Sequence, residues 1–311
     1  MNELACCQET IDLQVNGFAG VDFNDPSTAV ELICASAELM REDGVLWALP
    51  TVITAAPEVM LACIDNIVSA VGQSAAASSV FRGLHIEGPF LPKEAGYIGA
   101  HPAEHASPSN LSLLAQLSDA AGPLLKVVTL APEVDFDGAL TRFCTSRGIR
   151  VSAGHTDATL DQLDRCIDQG LDMFTHLANG CPRLLDRHDN IIYRVLSRAR
   201  QLRITLIADG FHVPDLLFRL FLQLIPRERI AVVSDAISAA TLGPGVYPLG
   251  GRTVRVGQDR AARDASGEHF VGSAATMRDA DRWLSVTIGL SLAERRRLLY
   301  ENAAAWFPSL C

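Results

Sequence analysis

A chain of 311 residues, 49% hydrophobic and 20% charged, can bury a full core as one large domain or two small ones. A net charge of −10, with Lys and Arg scattered rather than gathered into a stripe, argues against nucleic acid as a partner. The polar, acidic start and the lack of any apolar run of about 18 residues lead us to expect a cytoplasmic protein with no membrane partner, whose eight cysteines, none in a C-x-x-C pair, stay reduced.

Eight short β-prone runs follow one another along the chain: 11–15, 45–49, 83–86, 126–130, 150–153, 172–175, 203–207 and 230–233. Helical patterns lie between them at 26–41, 57–71, 111–121, 136–147, 160–169, 191–200 and 213–224. Such alternation implies a parallel sheet with right-handed crossovers, and eight units suffice to close a (β/α)8 TIM barrel. A doubly wound open sheet is the competing arrangement, but no G-x-G-x-x-G follows the first run. The SAAASS run at 74–79 reads as a helix end or loop. The Gly-rich stretch 241–271 breaks the rhythm, and we expect a β-hairpin insertion after strand eight.

Active sites of such barrels sit at the C-terminal ends of the strands, and here those ends are polar. Gln14 and Asn16 close the first run, Glu87 the third and Glu133 the fourth. His155, His176, the pair Asp209 and His212, and Asp235 close the fifth to the eighth. A single histidine after a strand is more often a hydrogen-bonded structural residue. One carboxylate and two imidazoles from three units instead suit a divalent ion with a position left open for water. Asp235 can serve as a helix N-cap or, beside a metal, as a proton carrier.

These residues sit within a longer series of motifs: IDLQVNG at 11–17, PTVIT at 50–54, GLHIEGPFL at 83–91, GAH at 99–101 and LAPE at 130–133. SAGHTDA at 152–158, THLANG at 175–180, ADGFHV at 208–213, SDA at 234–236 and GSAATM at 272–277 continue it. In this order the chain resembles the N-acetylglucosamine-6-phosphate deacetylases of the amidohydrolase superfamily. The resemblance implies metal-dependent deacetylation of an N-acetylated amino sugar, most directly N-acetylglucosamine 6-phosphate. It makes Glu87, His155 and His176 the metal ligands and Asp235 the catalytic base and acid, with His101 polarising the acetyl carbonyl. Ala100, His101, Asn179, Gly180, Asp209, His212 and Gly272 would contact the substrate. Where much of the superfamily has H-x-H, this chain has Gln14-Val15-Asn16, so one tightly bound ion is expected. Zn²⁺ is the foremost candidate, and Fe²⁺, Mn²⁺ and Co²⁺ accept the same ligands.

The chain also departs from the family. From this chain we expect the family's usual small β-sandwich to be largely absent, which would leave barrel surface for a homodimer or another partner to cover. The family's R-E-P-G segment reads Arg187-His188-Asp189-Asn190. Arg187 is the expected phosphate contact, although Asp189 beside it would repel a dianion. Two other readings stand beside the deacetylase: a different small-amide hydrolysis on the same barrel, or a sugar-binding relative without catalysis.

Overall fold

The computed structural model describes residues 6–7, 9–94, 96–264, 267 and 269–311. Eight parallel strands form one sheet in sequence order: β1 (Thr10–Val15), β2 (Val45–Ile53), β3 (Leu84–Glu87), β4 (Leu125–Leu130), β5 (Arg150–Ala153), β6 (Met173–Phe174), β7 (Arg203–Ile207) and β8 (Ile230–Val233). The sheet curls back on itself just past its last strand. The Asp235 amide donates to the Gln14 carbonyl at 3.0 Å, the Asn16 amide donates to the Ala236 carbonyl at 2.7 Å, and Val15 bridges Ala236 in parallel. The expected barrel is therefore the observed architecture.

Strand residues of alternating direction build two apolar layers, as the two-residue period of a strand requires. Ile11, Leu13, Trp47, Leu49, Val127, Met173, Ile207, Ala231 and Val233 form one buried cluster with Ala303, Trp306 and Phe307. The C-terminal helical segment thus plugs the barrel at the N-terminal ends of the strands. Trp47 meets Phe307 edge to face with ring centres 6.3 Å apart, and Arg150, at the start of β5, donates to the Trp306 carbonyl. The other strand faces pack against the surrounding helices in a larger cluster that includes Ile33, Met60, Ile64, Leu114 and Phe218.

Element boundaries depart from the sequence-based expectation in three instructive places. The second strand runs on through Pro50 to Ile53, because Thr51–Ile53 pair with His85–Glu87 and the Val15 amide turns to the Thr51 hydroxyl, 3.1 Å away. The helix expected from 136 begins at Ala139, since the buried Asp135 carboxylate accepts the Leu140 and Thr141 amides at 3.0 and 2.9 Å and fixes the start there. The run at 74–79 is a short helix of its own, Ala75–Val80, whose Ser74 side chain caps the Ala77 amide.

After β8, three short antiparallel strands, β9 (Gly245–Leu249), β10 (Arg252–Val256) and β11 (Ala262–Arg263), form a separate sheet. Its apolar side, through Leu249, Val254 and Val256, packs with Ile53, Ile237 and Val271 near the C-terminal ends of the barrel strands.

Candidate metal centre

Three groups from different units meet at the strand ends. Glu87 closes β3, and His155 and His176 lie just past β5 and β6; one ligand atom from each lies within 4.8 Å of the others. The Glu87 Oε1 is 3.2 Å from His155 Nε2 and 3.0 Å from His176 Nε2, and all three residues are buried. Burial works to raise the Glu87 carboxyl, but hydrogen bonds and charge from both imidazoles outweigh it and hold the group well below its usual range.

Proton bookkeeping within the cluster favours a cation. The Nδ1 of His155 lies 2.7 Å from the Tyr97 carbonyl oxygen, which can only accept, so Nδ1 carries the proton. In its neutral form the ring would turn its Nε2 lone pair to the Glu87 carboxylate as well as to the His101 Nε2–H, so the Glu87 contact calls for a second proton on the ring or for a cation. A divalent ion held by Glu87, His155 and His176 would meet that need. The outward N–H to a backbone carbonyl is the outer-shell contact that orients a metal-ligating histidine. The donor set of one carboxylate and two imidazoles therefore fits Zn²⁺ or a similar ion.

The backbone is held in an uncommon state where these side chains leave it. His155, His176 and Asp235 have φ of 51°, 35° and 49°, a region non-glycine residues seldom occupy without compensation. Two glycines make room for the His155 ring: a Cβ on Gly180, itself at φ 58°, would lie 2.8 Å from Nδ1, and one on Gly99 would lie 3.1 Å from Cε1. Glu133, past β4, accepts the Thr156 hydroxyl and the Asp157 amide, tying down the segment that follows His155.

Asp235 stands on the far side of one bridging amide. The Gln14 Nε2 donates to Glu87 Oε1 and to Asp235 Oδ1, both at 3.1 Å, and Asn16 Nδ2 donates to the same Oδ1 at 2.7 Å. Burial and the neighbouring Glu87 charge push the Asp235 carboxyl up to about 6. No helix follows it directly, so the capping alternative does not apply. Gln14 and Asn16, where a second pair of imidazoles would bind another ion, spend their amides holding these two carboxylates.

His101 completes the floor. Its Nδ1 accepts the Thr54 amide at 3.3 Å and lies 2.8 Å from the Thr54 hydroxyl, so its proton sits on Nε2, 3.2 Å from His155 Nε2. Burial and then the neighbouring His155 press its pKa down to about 3. His212 is held by Asp209, whose Oδ2 accepts its Nδ1–H at 2.7 Å and the Ser273 hydroxyl at 3.0 Å. Burial tends to raise Asp209, but His212 and two backbone amides bring it down to about 2.

A cavity of about 410 Å³ opens over this floor. It is lined by Asn16, Glu87, Ala100, His101, His155, His176, Asn179, Gly180, His212, Asp235 and Gly272, together with Arg183, His269 and Phe270. Among the described residues of its wall, three buried polar atoms have no hydrogen-bond partner: Asn16 Oδ1, His176 Nδ1 and Asn179 Nδ2. A larger groove, about 590 Å³ between residues 196–201 and 222–227, contains none of these groups.

Most expected site residues are thus brought together, but two are not in the wall. Asp209 acts from behind His212. Arg187 is exposed and does not line the cavity, although Leu185 of the same segment does. Asp189 is no threat to an anion: Arg194 holds it at 2.7 Å, and it too lies outside the cavity. Sequence reasoning missed Tyr97, Thr54 and Arg183. Thr54 ends the PTVIT motif, whereas Tyr97 acts through its backbone and leaves no residue-type signal.

No family model matches the chain. The N-acetylglucosamine-6-phosphate deacetylase of Bacillus subtilis is 31% identical over 297 residues, covering 94% of this chain and 73% of that protein. The N-acetylgalactosamine-6-phosphate deacetylase of Escherichia coli O157:H7 is 32% identical over 289 residues, covering 93% and 74%. The chain spans 61% of the length of the Homo sapiens N-acetylglucosamine-6-phosphate deacetylase. A variant of the Mycobacterium smegmatis N-acetyl-D-glucosamine-6-phosphate deacetylase, solved with N-acetyl-D-glucosamine 6-phosphate, superposes with a TM-score of 0.86 at 27% identity, over 96% of this chain and 76% of that one. With the same barrel and its motifs in the same order, the chain belongs to the N-acetylglucosamine-6-phosphate deacetylase family of amide-cleaving amidohydrolases.

Proposed function

We propose that this chain hydrolyses the acetamide of an N-acetylated amino-sugar phosphate, N-acetylglucosamine 6-phosphate first among them, to acetate and the free amine. The observation that carries the reading is the buried Glu87, His155 and His176 cluster with Asp235 joined to it through Gln14. A single divalent ion on those three ligands supplies Lewis acidity and a lowered pKa for water.

The chain's own groups do the rest. Asp235, fixed by Asn16 and Gln14 through Oδ1, takes a proton from the attacking water and delivers it to the sugar nitrogen as the C–N bond breaks. His101, with its proton on Nε2, donates to the acetyl oxygen as negative charge grows there. Ala100, Asn179, Gly180, His212 and Gly272 shape the wall that holds the sugar, where Asn179 Nδ2 and Asn16 Oδ1 offer one donor and one acceptor for its hydroxyls. Residues 1–311 form one catalytic barrel in this reading, with 241–271 as an insertion roofing the site.

The test is acetate release by the metal-loaded protein from N-acetylglucosamine 6-phosphate, with the galacto epimer alongside because the E. coli relative is named for it. A loaded protein that frees no acetate from either would overturn the proposal.

A further inference from the structure

Asp12, two residues before Gln14 on β1, is a buried carboxylate that the proposed mechanism does not use. It is 1% exposed and lies outside the cavity wall, so it cannot touch a substrate bound there. Its Oδ1 accepts the Gln14 amide at 3.3 Å and the Ser234 amide at 3.1 Å, and its Oδ2 accepts the Ser234 hydroxyl. Burial pushes the carboxyl up to about 7 against the pull of those donors, a desolvation cost that an apolar side chain would avoid.

Both arms of this clamp end on Asp235. On one side the Ser234 hydroxyl, aimed by Asp12, accepts the Ala236 amide at 3.0 Å. That bond straps residues 234 and 236 across the turn in which Asp235 stands at φ 49°, a conformation that persists in a non-glycine residue only when its surroundings fix it. On the other side β1 breaks register with β2 between Asp12 and Val15, and the hold on the Gln14 amide fixes the chain within that irregularity. From there the Gln14 carbonyl accepts the Asp235 amide at 3.0 Å, and the Gln14 Nε2 reaches Asp235 Oδ1 at 3.1 Å.

Resting on the deacetylase reading above, we infer that Asp12 is a positioning residue for the reaction: by clamping Ser234 and Gln14 it sets the backbone from which Asp235 reaches the substrate nitrogen. A reacting group displaced by about 1 Å can cost about 100-fold in rate, so a side chain with no access to substrate can still govern turnover.

Two readouts test this, one of them independent of turnover. A crystal structure of Asp12→Ala should show the Asp235 φ moved away from 49° or its 2.7 Å bond from Asn16 Nδ2 broken. Asp12→Asn, which keeps an Oδ1 acceptor for both amides, should preserve both features. In the metal-loaded full chain, kcat of Asp12→Ala should fall by about 10- to 100-fold with KM within about threefold of the wild type, and Asp12→Asn should recover most of that loss. If Asp12→Ala does not fold, Ser234→Ala, which removes only the hydroxyl strap, takes its place in both experiments. An unmoved Asp235, a loss of kcat that merely follows a loss of bound metal, a rise in KM alone, or an Asp12→Asn as slow as Asp12→Ala would overturn the inference. A wild type that releases no acetate would sink the deacetylase reading alone, because the structures still decide whether Asp12 sets Asp235.

Discussion

The Nδ1 of His155 points at the carbonyl oxygen of Tyr97 across 2.7 Å, so a main-chain atom decides which face of that ring is a Lewis base. In the proposed reading an ion would take the Nε2 side, and Gln14 and Asn16 stand where a second pair of imidazoles would be needed to hold another. Elemental analysis of the purified protein should give one tightly held divalent ion per chain. His155→Ala should lose it, and stripping it with a chelator should abolish acetate release and lower Tm. Ligand saturation at about 100 times its Kd is worth roughly 2.7 kcal/mol to a folded state. Two tightly held ions per chain would refute the assignment.

Asp235→Asn keeps an Oδ1 acceptor for Asn16 and Gln14 but cannot carry a proton. Turnover should fall by about 10²- to 10⁴-fold with metal content intact. A variant still working at a tenth of the normal rate, roughly 1.4 kcal/mol of barrier, would remove Asp235 from the mechanism.

Gly180→Ala would place a methyl 2.8 Å from the His155 ring at a φ of 58° that alanine resists. Unfolding in urea should show a loss of more than about 1 kcal/mol, accompanied by weaker metal retention as the ring is displaced. Stability and metal affinity both equal to wild type would mean that the ring has room to move.

The strand frame is legible because each apolar run carries its polar residue at the same end, which is how the sequence itself marks Glu87, His155, His176 and Asp235. The helix at 111–121 was equally plain, bounded by its Asn110 cap. Other features depend on facts that residue type does not encode. Nothing about Tyr97 announces that its carbonyl, rather than its ring, serves the site. Arg187 keeps its distance from His176 along the chain, yet it is exposed and does not line this chain's own cavity, a placement that spacing does not encode.

The buried carboxyl of Asp12 gives a pH prediction. Burial pushes it up to about 7, against donors from Ser234 and Gln14 that pull it down, while in the unfolded chain it titrates near 3.9. The folded state therefore holds a proton that the unfolded chain gives up from about pH 4, and stability present below that point is lost as pH rises towards 7. Asp12→Asn lacks this dependence and keeps an Oδ1 acceptor for the Ser234 and Gln14 amides. In urea unfolding it should gain on the wild type between about pH 4 and about pH 7. A difference that stays constant across that interval would show that Asp12 titrates normally.

The left-handed backbone at His155, His176 and Asp235 has a bearing on how the centre receives its ion. Bends of that kind are held by the surrounding barrel, by the glycines beside them and by the Glu133 tether. Such bends pre-shape the centre, so loading an ion should leave the main chain where it is while slowing exchange of the core amides by the stability that the ion adds.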